Sequence, residues 1–127
     1  MRLGAVVLDS GDSKALADFY QKLLGWPKRR DGKDYISLAS EAETVELIFQ
    51  EDADYQRPVW PTDKARQQQM LHLDFYTDDL AKGVEHAVGC GAKLAQAQYS
   101  ERWTVMLDPA GHPFCIVKVS PKTAQTE

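Results

Sequence analysis

The chain predicts an α+β fold made of two βαβββ modules, and three observations carry that expectation. Strand-like runs open both halves, at Leu3 to Asp9 and at Leu71 to Thr77. Each run is followed by an aspartate suited to cap a helix, then by an apolar stripe at helical spacing. Each predicted helix ends at a glycine, and further strand-like runs separated by turn residues come after it.

The first module covers about residues 3–51. Asp12 or Ser13 can accept hydrogen bonds from the free amides of a helical first turn. Leu16, Phe19, Tyr20, Leu23 and Leu24 then line one helical face. Gly25 can take the left-handed conformation that ends a helix, and Pro27 cannot resume it. Lys28-Arg29-Arg30, beside Asp31, reads as a solvated strand end or turn. Asp31-Gly32 is a turn signal, and the strands expected after it run from Asp34 to Ala39 and from Thr44 to Gln50.

A polar linker, residues 52–69, carries Tyr55, Pro58, Trp60 and Pro61. The second module covers about residues 70–119. Its opening strand holds His72, and Asp78 or Asp79 caps a helix with Leu80, Val84, Ala87 and Val88 on one face. Gly89 and Gly91 lie at that helix's end. Strands are expected at Lys93 to Ala97, Arg102 to Leu107 and Pro113 to Val119, with the turn Asp108-Pro109-Ala110-Gly111 between the last two. The tail, residues 120–127, is polar and expected to fray. Identity between the halves is slight, so an unduplicated α+β sandwich with the same element order stays open.

Composition narrows the function classes. A length of 127 residues suits one domain. The net charge of −4 and the single short basic cluster give no support to nucleic-acid binding. No apolar run approaches the roughly 18 residues of a membrane span, and no secretion signal is expected at the N-terminus. The two cysteines, Cys90 and Cys115, are too few for a disulfide framework and are not spaced like a zinc knuckle. Reduced thiols in a cytoplasmic protein follow as the expectation.

Several pieces together resemble the vicinal oxygen chelate superfamily, which includes glyoxalase I, extradiol dioxygenases and bleomycin-resistance proteins. They are Ala17-Asp18-Phe19-Tyr20, Leu23-Leu24-Gly25-Trp26, His72-Leu73-Asp74-Phe75, Gly91-Ala92 and Asp108-Pro109-Ala110-Gly111-His112-Pro113-Phe114. The linker residues Tyr55 and Pro58-Val59-Trp60-Pro61 look similar to a glyoxalase-like branch. The resemblance implies a curved, cup-shaped mixed sheet with helices on its outer face, a site inside the cup, and a homodimer. In metal-using members, four strands each offer one ligand. By position these fall on Ala5, Glu46, His72 and Cys115. Alanine cannot coordinate, so at best Glu46, His72 and Cys115 would remain. A thiol among them would shift preference from hard ions towards zinc. The incomplete set leads to an expectation of no metal and no other cofactor.

Strand alternation assigns the faces independently. If Leu71, Leu73 and Phe75 meet a helix, then His72, Asp74 and Tyr76 point the other way. Val6 and Leu8 leave Ala5, Val7 and Asp9 on the open face. Val45, Leu47 and Phe49 leave Glu46, Ile48 and Gln50, while Phe114 and Ile116 leave Cys115 and Val117. A mixed polar and apolar face suits a small organic ligand. The candidate ligand-binding residues are His72, Asp74, Tyr76, Glu46, Ile48, Gln50, Tyr55, Trp60, Trp103 and Cys115. His72, Asp74 and Glu46 are the candidates for proton transfer. Two other functions fit the same residues. One is a metal-dependent lyase or dioxygenase using Glu46, His72 and Cys115. The other is a protein-interaction module that buries Trp60 and Trp103 against a partner.

Overall fold

The computed structural model describes residues 1–61 and 63–119. The tail from Ser120 onward lies outside the described residues. The chain divides into two compact units, Met1–Gln56 and a second that begins at Arg57. Each contains one four-stranded mixed sheet and one helix, in βαβββ order. The boundary falls inside the expected linker, and its later part belongs to the second unit. There Val59 bridges Gln68 in parallel register, and Arg57 Nη1 donates to Pro109 O at 3.1 Å.

In the first unit, β1 (Ala5–Ser10) leads to α1 (Ser13–Leu24), then β2 (Lys28–Asp31), β3 (Tyr35–Leu38) and β4 (Glu46–Glu51). The sheet order is β1-β4-β3-β2, with β1 and β4 parallel and the remaining pairs antiparallel. Asp12 is the helix cap and accepts from Ala15 N at 3.0 Å. Glu51 Oε1 accepts from Ser13 N at 2.8 Å, placing an acidic group at the positive end of the helix dipole. Gly25, at φ 72°, ends the helix as expected.

Leu16, Ala17, Phe19 and Tyr20 of α1 are buried, as are Leu8, Ile36, Leu38, Leu47 and Phe49 of the sheet. The Tyr20 ring stacks on Phe49 at 5.4 Å. The strand starts later than expected, at Ala5 rather than Leu3, because Leu3 is 68% exposed and has no core to enter.

In the second unit, β5 (Leu73–Thr77) leads to α2 (Leu80–Cys90), then β6 (Lys93–Leu94), β7 (Trp103–Leu107) and β8 (Pro113–Lys118). The order β5-β8-β7-β6 repeats that of the first unit, again with one parallel pair, β5 and β8. Asp79 caps α2 by accepting from Lys82 N, and Gly91 at φ 119° closes it. The helix comes very near the sheet at Gly83, where an added Cβ would stand 3.1 Å from Ile116 Cγ2. A side chain there would require the Ile116 methyl to give by a few tenths of an ångström.

Three expectations are corrected here. The opening strand begins at Leu73, so His72 lies just before it. Val88 is 51% exposed instead of joining the packed face of α2, whose one fully buried residue is Ala87. The strand predicted over Lys93 to Ala97 stops at Leu94. Beyond it, the edge of β7 is served by Ala95 N, which donates to Val105 O, and by the side chain of Gln98. Gln98 Oε1 accepts from Val105 N at 2.8 Å while its Nε2 donates to Val105 O at 2.9 Å. A side-chain amide thus replaces a strand residue, and alternation in the sequence cannot reveal that.

Candidate functional site

The faces of the second sheet follow from register, because partners across a ladder share a face. Leu73 pairs with Phe114 and Phe75 with Ile116, and Gly83 of α2 lies against Ile116 and Thr77. That face is therefore the one covered by the helix. The opposite face carries two parallel rows. Asp74, Cys115 and Val105 form one row, and Tyr76, Val117 and Trp103 form the next. Tyr76 and Trp103 are among the exposed large apolar residues, whereas Val105 is buried.

Beside the first row stands His72, whose Nε2 is 3.3 Å from Asp74 Oδ1 with both side chains about half exposed. The donor atoms of His72, Asp74 and Cys115 all lie within 4.8 Å of one another. Burial pushes the Cys115 thiol up to about 11, and the neighbouring Asp74 charge and a hydrogen bond to Asp74 add to the shift. At neutral pH Cys115 therefore holds its proton and donates it to Asp74. It is therefore a poor nucleophile.

That shift has a measurable consequence. Relative to an ordinary thiol near 9.0, the thiolate fraction at pH 8 falls about 100-fold. The greater intrinsic nucleophilicity of a more basic thiolate recovers part of this, leaving reaction with a small aromatic disulfide about tenfold slower than for free cysteine. In a Cys90→Ser background, Asp74→Asn should accelerate the reaction several-fold, since it removes the adjacent charge and a charged acceptor. An unchanged rate would show that Asp74 does not act on the thiol.

The sequence-predicted residues divide between the units. His72, Asp74, Tyr76, Trp103 and Cys115 gather on or beside one face of the second sheet. Trp60 is also in the second unit, half-buried in the loop before β5, its ring edge-on to Tyr99 at 6.2 Å. Glu46, Ile48 and Gln50 share a face of β4 in the first unit, and Tyr55 lies half-buried beyond that strand's end. The metal set of Glu46, His72 and Cys115 that the resemblance leaves is not what the second unit assembles by itself. Its third donor is Asp74, two residues from His72 and opposite Cys115 in register.

Glu46 is engaged within its own unit, its Oε2 lying 3.1 Å from Arg29 Nη1 and 3.4 Å from Arg30 Nη2. The two arginines reach the same carboxylate because the β2–β3 register shifts between Lys28 and Arg30. A bulge of this kind sends two successive side chains to one side. Sequence reasoning placed them at a solvated strand end or turn, which the exposed strand β2 matches, but nothing in the local pattern marks the bulge.

An imidazole, a carboxylate and a thiol can in principle hold zinc with one position open. Here the thiol proton already satisfies Asp74, and a cation would have to displace it. Without an ion, the three groups form a hydrogen-bonded chain with Asp74 at its centre and an accessible imidazole at its end.

Solved structures with the same fold include a glyoxalase/bleomycin resistance protein/dioxygenase family enzyme from Burkholderia phytofirmans. It shows 21% identity and a TM-score of 0.73, with 94% of this chain and 100% of that one covered. A glyoxalase-related enzyme from Fulvimarina pelagi shows 19% identity and a TM-score of 0.67, with 94% and 88% covered. An antibiotic-binding protein from a Streptomyces species shows 16% identity and a TM-score of 0.64, with 94% and 97% covered. At such identities the likeness establishes the fold alone. No curated protein matches the chain in sequence. Among the described residues, no helix is long and apolar enough to cross a membrane. The family model of the glyoxalase-like domain matches residues 5–117, nearly the whole chain, and the protein belongs to that family.

Proposed function

We propose that this glyoxalase-like protein binds a small, flat organic molecule on the open face of its second sheet, through protein groups alone and without a metal. The observation that carries this reading is the pairing of two rows on a face that α2 leaves uncovered. Tyr76, Val117 and Trp103 offer an apolar surface with two aromatic rings. Asp74, Cys115 and the neighbouring His72 offer a polar edge. Aromatic side chains supply large contact area to a planar ligand, and a few placed polar groups fix its orientation. Any proton transfer to the ligand would fall to His72, which Asp74 orients. The antibiotic-binding description of the Streptomyces neighbour is the kind of activity this surface suits. We extend the reading to a cytoplasmic homodimer, the state that the family resemblance implies.

The clustering of His72, Asp74 and Cys115 favours one second reading, a metal-dependent lyase or dioxygenase. Two measurements separate the two. Protein purified without chelator should contain no stoichiometric Zn, Fe, Mn or Ni. A panel of fused-ring aromatic compounds should quench tryptophan fluorescence to saturation. One metal per chain, lost in His72→Ala, would replace the proposal with the metal-dependent one. No saturable change with any compound, alongside a stable protein complex, would favour the interaction module.

A further inference from the structure

Helix α2 carries two metal-ligating side chains that the reading above does not use. His86 and Cys90 stand four residues apart, a spacing that brings side chains together on one stripe of a helix. Cys90 Sγ lies 3.8 Å from His86 Nε2 and 4.0 Å from its Nδ1. A zinc ion at its usual bond lengths, about 2.3 Å to sulfur and about 2.0–2.1 Å to nitrogen, holds those two atoms roughly 3.6–3.8 Å apart. The helix thus presents an imidazole and a thiol at the separation of two neighbouring zinc ligands.

Three further features favour a cation here. Access is open, because His86 is exposed, Cys90 is half-buried, and a Cβ built on the intervening Gly89 would meet nothing within 4 Å. The pair is held in place by a helix that Asp79 caps at one end and Gly91 closes at the other. Cys90 is also the last residue of α2, at the negative end of the helix dipole, where α2 has no basic residue. In α1 the equivalent turn holds Lys22. The donor types select the ion, since magnesium and calcium prefer oxygen, whereas a thiolate with an imidazole suits zinc.

We infer that His86 and Cys90 form a site for a thiophilic divalent ion of the zinc class, carried on α2 and distinct from the grouping of His72, Asp74 and Cys115. On binding, the Cys90 thiol releases its proton to solvent and the sulfur bonds to the metal, while one imidazole nitrogen donates its lone pair. Water fills the remaining positions. Two protein ligands recover roughly half the free energy of a four-ligand structural site, which sets a Kd on the order of 10 µM. A site this weak fills and empties with the free metal concentration, and gel filtration strips it. The absence of stoichiometric metal expected of the purified protein is therefore unaffected.

Cobalt(II) is the probe, because its bond to a thiolate gives a charge-transfer absorption that imidazole and carboxylate ligands do not. Titrated into the reduced, intact protein, Co²⁺ should raise that band to saturation at concentrations on the order of 10–100 µM, and Zn²⁺ should then abolish it by displacement. Mg²⁺ should leave it in place. Cys90→Ser should remove the band, His86→Ala should weaken Co²⁺ about tenfold or more, and Cys115→Ser should change neither. Cys90 and His86 both reach solvent, so these variants keep the fold. A band that survives Cys90→Ser and is lost in Cys115→Ser would move the ion to the second sheet's open face and overturn the inference. Unchanged affinity in His86→Ala would reduce the site to a single thiol and overturn it as well. So would the lack of any band at about 1 mM Co²⁺, where a site of this strength would be full.

Discussion

Phe114→Ala should destabilise the protein by about 3–5 kcal/mol, the range for deleting a buried phenylalanine side chain. Phe114 has no exposed surface, and its ring meets Phe75 edge-on at 5.6 Å. In the ladders it pairs with Leu73 on one side and with fully buried Met106 on the other. It therefore lies on the helix-covered face of β8, between two other strands, where little can collapse into the space left behind. Domains of this size are stable by only about 5–15 kcal/mol, so the variant should lose a large share of that margin. Urea unfolding followed by circular dichroism measures the shift. A loss under about 1 kcal/mol would mean that the second unit does not depend on this core. The next residue, Cys115, lies on the other face of the same strand, so the variant should also disturb the Asp74–Cys115 pair.

Trp103→Ala is the complementary experiment. Trp103 is 37% exposed and lies on the open face beside Val117, so its removal should cost about 1–3 kcal/mol, less than Phe114→Ala. Binding of the best compound from the aromatic panel should weaken about tenfold or more, because a flat ligand loses the larger of its two ring contacts. Calorimetry is the suitable readout, since the substitution removes a fluorescent reporter. Unchanged affinity would place the ligand elsewhere and end the case for the second sheet's open face. Phe114→Ala and Trp103→Ala thus separate the two faces of one sheet, one supporting the fold and the other contacting a ligand.

Much of the fold was legible because its signals are local. Asp12 and Asp79 cap their helices, and Gly25 and Gly91 close them, since capping depends on residues within a turn of the helix end. The phase of each strand was also legible. Leu8, Leu47, Phe49, Phe114 and Ile116 are buried as alternation predicts, and Asp74 and Tyr76 point away from Phe75. Strand ends were less legible. Leu3 and Leu71 extend the apolar pattern but lie outside the strands, because hydrophobicity alone does not say where a pairing partner stops.

The composition of the site is a different matter. From its own residues, the chain determines two capped helices, their apolar faces, and which side chains of each strand share a face. All of these are periodicities or short-range hydrogen bonds. Tertiary structure decided the rest. Asp74 meets Cys115 because the chain, returning through α2, β6 and β7, lays β8 parallel to β5 in one particular register. Arg29 and Arg30 converge on Glu46 because a bulge in β2 turns both to one side. Register and bulges are set by the balance of pairing along whole strands, across residues far apart in the chain. The histidine that the sequence brought forward had its aspartate two residues along, but it acquired the thiol neighbour only when the strands paired.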